Sequence, residues 1–411
     1  MTRRFETPDG YRGGIITRVK RARQAVDPRK RDLSPALLDF GPVRFALARH
    51  FGFCYGVENA VEIAYRTLAD NPGRRVYFLS EMIHNPKVNG DLRERGVQFL
   101  FTPSGEQLVP WEELRPDDIV VVPAFGTTLE MQERLASLGI DPYRYNTTCP
   151  FVEKVWKRSA QLGLENYAVV VHGKDTHEET RATFSHSRRA APTVVVRNLL
   201  EARVLGDMIR GTRPGAEFAR WFGHKSSPGF DPERDLVRIG VVNQTTMLAT
   251  ETHEIAEELR RALIDRYGAD ELGRHFADTS DTLCYATYEN QNATYALIEH
   301  GADLAIVVGG FNSSNTSHIV ELCAKAMPTY FVQGAADLVS ASEIHHFSLE
   351  SRTVLTTRDW LPSRRPVDVV LTCGASCPDA ILDDVLRRVA SFVDGARPVE
   401  EVLAPFSADA S

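Results

Sequence analysis

Residues 308–318 read V-G-G-F-N-S-S-N-T-S-H, and the rest of the chain is organised around them. They follow the apolar run 304–308, which has the length and β-branching of a buried strand, and they precede residues 319–326, which we read as the start of a helix. Between the two lie Asn312, Ser313, Ser314 and Asn315. Small hydroxyl and amide side chains at a strand-to-helix turn satisfy the free N–H groups of the helix start. The same place attracts anions, because the helix N-terminus offers N–H donors at the positive end of its dipole. An ordinary cap needs one such residue. Four in a row after two glycines point to a phosphate or diphosphate.

Outward from this turn the same alternation repeats. Strands are expected at 76–79, 119–122, 168–171, 193–196, 239–242, 304–308, 329–332 and 367–371, as short β-branched runs of the kind parallel sheets bury on both faces. Helical patterns fall between them, at 57–69, 129–138, 251–266 and 288–300. This is an α/β chain with mostly parallel sheets, and ligands of such sheets sit beyond the carboxyl ends of the strands. We expect an N-terminal arm over 1–42, α/β domains over 43–145, 146–280 and 281–385, and a C-terminal tail over 386–411. Within the arm, residues 1–31 are rich in arginine but carry Glu6, Asp9 and Asp27 and almost no serine. That balance reads as a solvated arm, free to pack on the body, of a cytoplasmic protein, with a plastid transit peptide the lesser reading. Residues 206–235, rich in Gly, Pro and Ser, read as a long surface insertion.

Net charge is −7, so no overall basic field argues for nucleic acid. No apolar run approaches the roughly 18–20 residues of a membrane span. Six cysteines in 411 residues are too few for a disulfide scaffold, and the absence of any C-x2-C pair removes zinc ribbons and fingers. Cys323, Cys373 and Cys377 read as small buried side chains. Cys54, Cys149 and Cys284 differ, because each stands just before a helical pattern and they are spaced about one domain apart. Helix starts favour thiolate, and thiolates hold iron–sulfur clusters. Three such ligands would leave one iron of a 4Fe–4S cluster free of protein thiolate.

Polar clusters mark other strand ends. Residues 172–183, H-G-K-D-T-H-E-E-T-R-A-T, offer His177 as an anion ligand and Glu179 as a proton donor; a charged first helical turn explains the same letters equally well. Position 181 is Arg181, so no zincin motif is present. His84 and Asn85 follow the strand at 76–79, Thr245 and Thr246 follow that at 239–242, and Ser376 lies in a glycine-containing turn after 367–371. Hydroxyls, amides and imidazoles of this kind can hold a diphosphate.

Read together, these stretches resemble one family, the 4-hydroxy-3-methylbut-2-enyl diphosphate reductases of the non-mevalonate isoprenoid route. The matching motifs are G-F-C-Y-G-V at 52–57, I-H-N-P-K-V at 83–88, T-T-C-P-F-V at 147–152 and H-G-K-D-T-H-E-E-T at 172–180. They continue with Q-T-T at 244–246, D-T-L-C-Y-A-T at 281–287, N-S-S-N at 312–315 and G-A-S at 374–376. The H-G-K-x-x-H-E-E-T form and the arm resemble the longer plastid and cyanobacterial branch. The resemblance implies three similar α/β domains around a central 4Fe–4S cluster held by Cys54, Cys149 and Cys284. It implies that Glu179, working with Thr245, delivers a proton. It assigns the diphosphate to His84, His177, Ser313, Ser314, Asn315 and Ser376, and the electrons to a donor such as ferredoxin or flavodoxin. Hydroxide leaves poorly, so its loss calls for a Lewis acid and a nearby proton donor.

Two positions depart from the family pattern. The shorter bacterial branch has a histidine in an S-A-H-G turn, where this chain has P-A-F-G with Phe125. A phenyl ring cannot bind a phosphate oxygen, which leaves Lys174 and Lys87 as candidates for the missing contact. Asn146 stands where an acidic residue is common. Two other functions fit parts of the pattern. A zinc hydrolase would use His177 and Glu179 but lacks a ligand set. An iron–sulfur sensor or binding protein of the same fold would keep the cluster and have lost the acid, yet Glu179 and Thr245 are present.

Overall fold

In the computed structural model, which describes residues 5–406, each of the eight expected runs forms a strand. Val367–Cys373, Ala168–His172 and Ile239–Asn243 extend one or two residues beyond expectation. Leu304–Val308, Ala168–His172 and Ile239–Asn243 are buried along their whole length, as parallel strands covered on both faces must be. The chain divides into two compact units. One comprises residues up to Glu58, His84–Gly90 and the chain from Tyr285 onward; the other comprises Asn59–Ile83 and Asp91–Cys284.

The first unit is built on a five-stranded sheet in the order Ala36–Asp39, Val43–Leu47, Val367–Cys373, Leu304–Val308, Thr329–Val332. Only the first pair is antiparallel. Leu304–Val308 therefore lies inside the sheet beside Val367–Cys373, with Val308 opposite Cys373. The turns that follow these two strands, 309–313 and 374–378, consequently leave the sheet side by side. A separate antiparallel sheet, Leu338–Ser340, Glu343–Ser348 and Thr353–Arg358, belongs to the same unit. We had not expected it: Thr353–Arg358 is largely exposed and carries no apolar run to mark it.

The second unit holds two parallel sheets. One runs Gln98–Phe99, Val76–Phe78, Ile119–Val121, and the other Thr193–Val196, Ala168–His172, Ile239–Asn243, Phe276–Ala277. In both, the strands that precede the candidate motifs are central.

Two segments differ from expectation. Residues 14–26 are a helix rather than a solvated arm, with Ile15, Ile16 and Val19 buried. Those three make one apolar stripe at i, i+1 and i+4, short enough to be masked by the surrounding arginines. Its N-cap, Gly13, has no side chain to offer; the Asp383 carboxylate accepts the N–H groups of Ile15 and Ile16 instead, each at 2.8 Å. Residues 206–235 are not a loose excursion either. They form the helix ends and short helices Leu199–Arg210, Phe218–Phe222 and Pro232–Asp235, and bury Phe218 and Phe222 in the unit's core. Glycine and proline there mark tight turns between helices. The tail also contributes to the first unit's core, through Val393, Val402 and Leu403. The ends of the arm and tail, 1–4 and 407–411, lie outside the described residues. Among the described residues no helix is long and apolar enough to cross a membrane.

Candidate active site

In the first unit the turn after Leu304–Val308 is lined by backbone and small polar side chains, a set that could hold an anion. The helix begins at Ser314 rather than at Ile319 and runs to Ala324, so three of the four polar residues belong to its cap and first turn. Ser313 is the N-cap. Its Oγ accepts the Thr316 N–H at 3.3 Å and the Thr316 hydroxyl at 2.9 Å, which leaves its own proton to donate outward. Asn315 Oδ1 accepts the Ala375 N–H at 2.8 Å, so its amide orientation is set and Nδ2 faces the other way. Ser314 Oγ and Asn315 Nδ2 are buried and have no hydrogen-bond partner among the described residues. Buried donors in that condition cost about 1–3 kcal/mol each until an acceptor arrives.

Glycines let these parts approach. A Cβ on Gly310 would lie 2.4 Å from the His84 carbonyl oxygen, and one on Gly374 would lie 2.0 Å from Thr316 Oγ1. His84 is thereby held against the turn. Its Nδ1 pairs with Asn312 Nδ2 at 3.1 Å, and its carbonyl accepts the Ser376 hydroxyl at 3.2 Å. The sequence candidates His84, Ser313, Ser314, Asn315 and Ser376 thus come together, all less than a tenth exposed. Lys87, by contrast, is exposed on the helix Pro86–Glu94.

The second unit holds Glu179. His177 is the N-cap of the helix Glu178–Ala190, and its Nδ1 accepts the Glu179 N–H at 3.2 Å. The ring proton is therefore on Nε2 when the imidazole is neutral. Glu179 is 1% exposed. Its carboxylate is held at both oxygens by Thr245, whose N–H donates to Oε1 at 2.5 Å and whose hydroxyl donates to Oε2 at 2.9 Å. His177 therefore caps the helix, and Glu179 stands in its first turn with its side chain buried rather than facing solvent.

Gln244 was quoted in a motif but not singled out, and it proves to be the brace of this arrangement. Its Oε1 accepts the Lys174 N–H at 3.2 Å and the Thr180 hydroxyl at 2.9 Å, while Nε2 donates to Thr246 Oγ1 at 2.6 Å. An amide with donor and acceptor ends was the available signal. Phe125 packs edge-on against the His177 ring, with centroids 5.7 Å apart and planes at 84°. Asn146 gains an explanation too. Its Oδ1 accepts the Thr148 N–H at 2.9 Å and the Thr148 hydroxyl at 2.5 Å, contacts a carboxylate would also make.

The six cysteines separate into two sets. Cys323, Cys373 and Cys377 are buried, whereas Cys54, Cys149 and Cys284 are half-buried. Burial pushes the Cys323 thiol up to about 12 and raises Cys377 as well, so these sulfurs stay protonated. Cys149 is the N-cap of Pro150–Leu164, and Cys54 and Cys284 immediately precede Tyr55–Asp70 and Tyr285–His300. In the first unit the Cys54 N–H donates to the Ala375 carbonyl at 3.2 Å; in the second the Cys149 N–H donates to Ala124 at 2.9 Å. Among the described residues no group of three or more His, Cys, Asp or Glu side chains is gathered to hold a single metal ion.

Comparison with known proteins gives a consistent picture. A family model described as LytB protein matches residues 45–390. A 4-hydroxy-3-methylbut-2-enyl diphosphate reductase of Gloeobacter violaceus is 41% identical over 355 residues, covering 85% of this chain and 83% of the relative. One of Thermosynechococcus vestitus is 39% identical over 350 residues, covering 85% of each. The solved structure of the E-1-hydroxy-2-methyl-but-2-enyl-4-diphosphate reductase from Plasmodium falciparum is 19% identical. It covers 84% of this chain and 87% of that one, with a TM-score of 0.60, and shares the fold.

Proposed function

The chain belongs to the LytB protein family, and from that premise we propose that it reduces 4-hydroxy-3-methylbut-2-enyl diphosphate to isopentenyl and dimethylallyl diphosphate, the last step of the non-mevalonate isoprenoid pathway. Two electrons and two protons enter, and the allylic hydroxyl leaves as water. The observation that carries this proposal is the division of the cysteines, with three half-buried thiols at helix starts and three fully buried ones.

Cys54, Cys149 and Cys284 are the residues that would hold a 4Fe–4S cluster, one per chain; half-exposed sulfurs at the positive ends of helices suit thiolate ligands. When bound, such a cluster supplies the two electrons in single steps and a Lewis-acidic iron for the leaving hydroxyl. The chain's own residues do the rest. The cradle at 309–315, with His84 and Ser376, anchors the diphosphate and so fixes where the reacting carbon lies. Glu179 is the proton source. Its Oε2 hydrogen bond to Thr245 Oγ1 can reverse polarity when the carboxyl is protonated, which makes the pair a short proton path. His177, capping through Nδ1, presents Nε2–H as a donor. The partition into α/β domains over 43–145, 146–280 and 281–385 remains part of this proposal, as do a cytoplasmic location and a ferredoxin or flavodoxin as electron donor.

The deciding experiment is to purify the chain without oxygen and measure iron and acid-labile sulfide in wild type, Cys284→Ser and Cys323→Ser. About four of each per chain are expected in wild type and Cys323→Ser, with the iron spectrum changing on addition of the hydroxylated diphosphate. Cys284→Ser should lose most of its iron. Zinc or no metal in folded wild type refutes the reductase. A full cluster that ignores the substrate favours the sensor.

A further inference from the structure

We propose that His318 is a further ligand of the diphosphate, beyond the residues that the family resemblance assigns. The proposal rests on the diphosphate function given above.

His318 lies in the helix Ser314–Ala324, four residues after Ser314 and three after Asn315. At about 100° per residue, His318 falls between those two when seen down the helix axis. Side chains on a helix lean toward its N-terminus, so the imidazole extends back over the first turn, where Ser314 and Asn315 stand. It is 3% exposed. Its Nδ1 is engaged by Glu321 Oε2 at 2.8 Å, which commits one ring nitrogen to the carboxylate. The other, Nε2, is buried with no hydrogen-bond partner among the described residues.

Ser314 Oγ, Asn315 Nδ2 and His318 Nε2 are thus three buried polar atoms in the same condition on one helix face. A structural role for His318 accounts for Nδ1 but leaves Nε2 facing nothing. An anion oxygen accounts for all three. The Glu321 carboxylate holds the ring through Nδ1 and so fixes where Nε2 lies; with both nitrogens protonated, Nε2–H donates to the phosphate as a charge-assisted hydrogen bond.

Inorganic pyrophosphate is the probe. Its binding to anaerobically purified full-length protein would be measured by calorimetry, with iron content and melting temperature as controls on folding. His318→Asn places an amide where Nδ1 was and withdraws the Nε2 position; it should weaken pyrophosphate tenfold or more. His318→Gln puts an amide nitrogen close to the Nε2 position and should recover to within about threefold of wild type. Wild-type affinity in folded His318→Asn overturns the assignment. Should that variant fail to fold, the half-buried partner Glu321 decides. Glu321→Gln should weaken pyrophosphate at least twofold, and unchanged affinity there also overturns the assignment. Wild type that does not bind pyrophosphate at all refutes the diphosphate function itself, a distinct result.

Discussion

At the scale of single residues, the candidate side chains of each unit commit one end to a neighbour so that the other end is aimed. Asn315 gives Oδ1 to a backbone N–H and keeps Nδ2. His177 gives Nδ1 to the helix cap and keeps Nε2. Ser313 accepts twice from Thr316 and keeps its proton. Glu179 is the exception, because both its oxygens face Thr245. Glu179→Gln keeps the shape and hydrogen-bonding capacity but not the exchangeable acid. It should lower turnover by about 10²–10⁴ while leaving iron and pyrophosphate binding intact, as steady-state kinetics beside iron analysis would show. Retained turnover would remove Glu179 from the role of proton source. The identities of these residues were legible in the sequence, because hydroxyls, amides and imidazoles collected at strand ends. Their orientations were not, since each depends on a partner distant in the chain, as Ala375 is from Asn315.

At the scale of elements, the strands were the most legible part, because continuous β-branched runs have few other uses. The helix starts were less so. The helix after Leu304–Val308 begins five residues earlier than its apolar pattern, since its first turn is buried through polar contacts rather than apolar ones. Packing there depends on a missing side chain. Gly374→Ala would set a Cβ 2.0 Å from Thr316 Oγ1, between a strand end and a helix that cannot both yield. A loss of about 1–3 kcal/mol is expected, read as a lower midpoint in urea denaturation, together with weaker pyrophosphate binding because Ser313 loses its Thr316 partner. An alanine variant as stable as wild type would mean that the two elements can separate without cost.

At the scale of the whole chain, what escaped the sequence was long-range capping and polar strand pairing. The helix Gly14–Val26 is capped by a carboxylate that lies near the other end of the chain, and no local motif announces such a partner. Asp383→Ala would leave two buried N–H groups without an acceptor, and should cost about 2 kcal/mol of stability, measured as a lower melting temperature. A melting temperature equal to wild type would show that the arm is held by its apolar stripe alone. The first unit carries a different kind of long-range tie in the backbone of Ala375, whose N–H meets the Asn315 side chain and whose carbonyl meets the Cys54 N–H. Two successive amide planes, hinged at one Cα, therefore join the turn at 312–315 to the Cys54 loop, and the side chain of residue 375 takes no part. An alanine scan would pass over position 375 and score it silent, and most replacements there would keep both bonds. Grafting the anchoring turn into another scaffold, or re-engineering it for another anion, would drag the cysteine loop along with it.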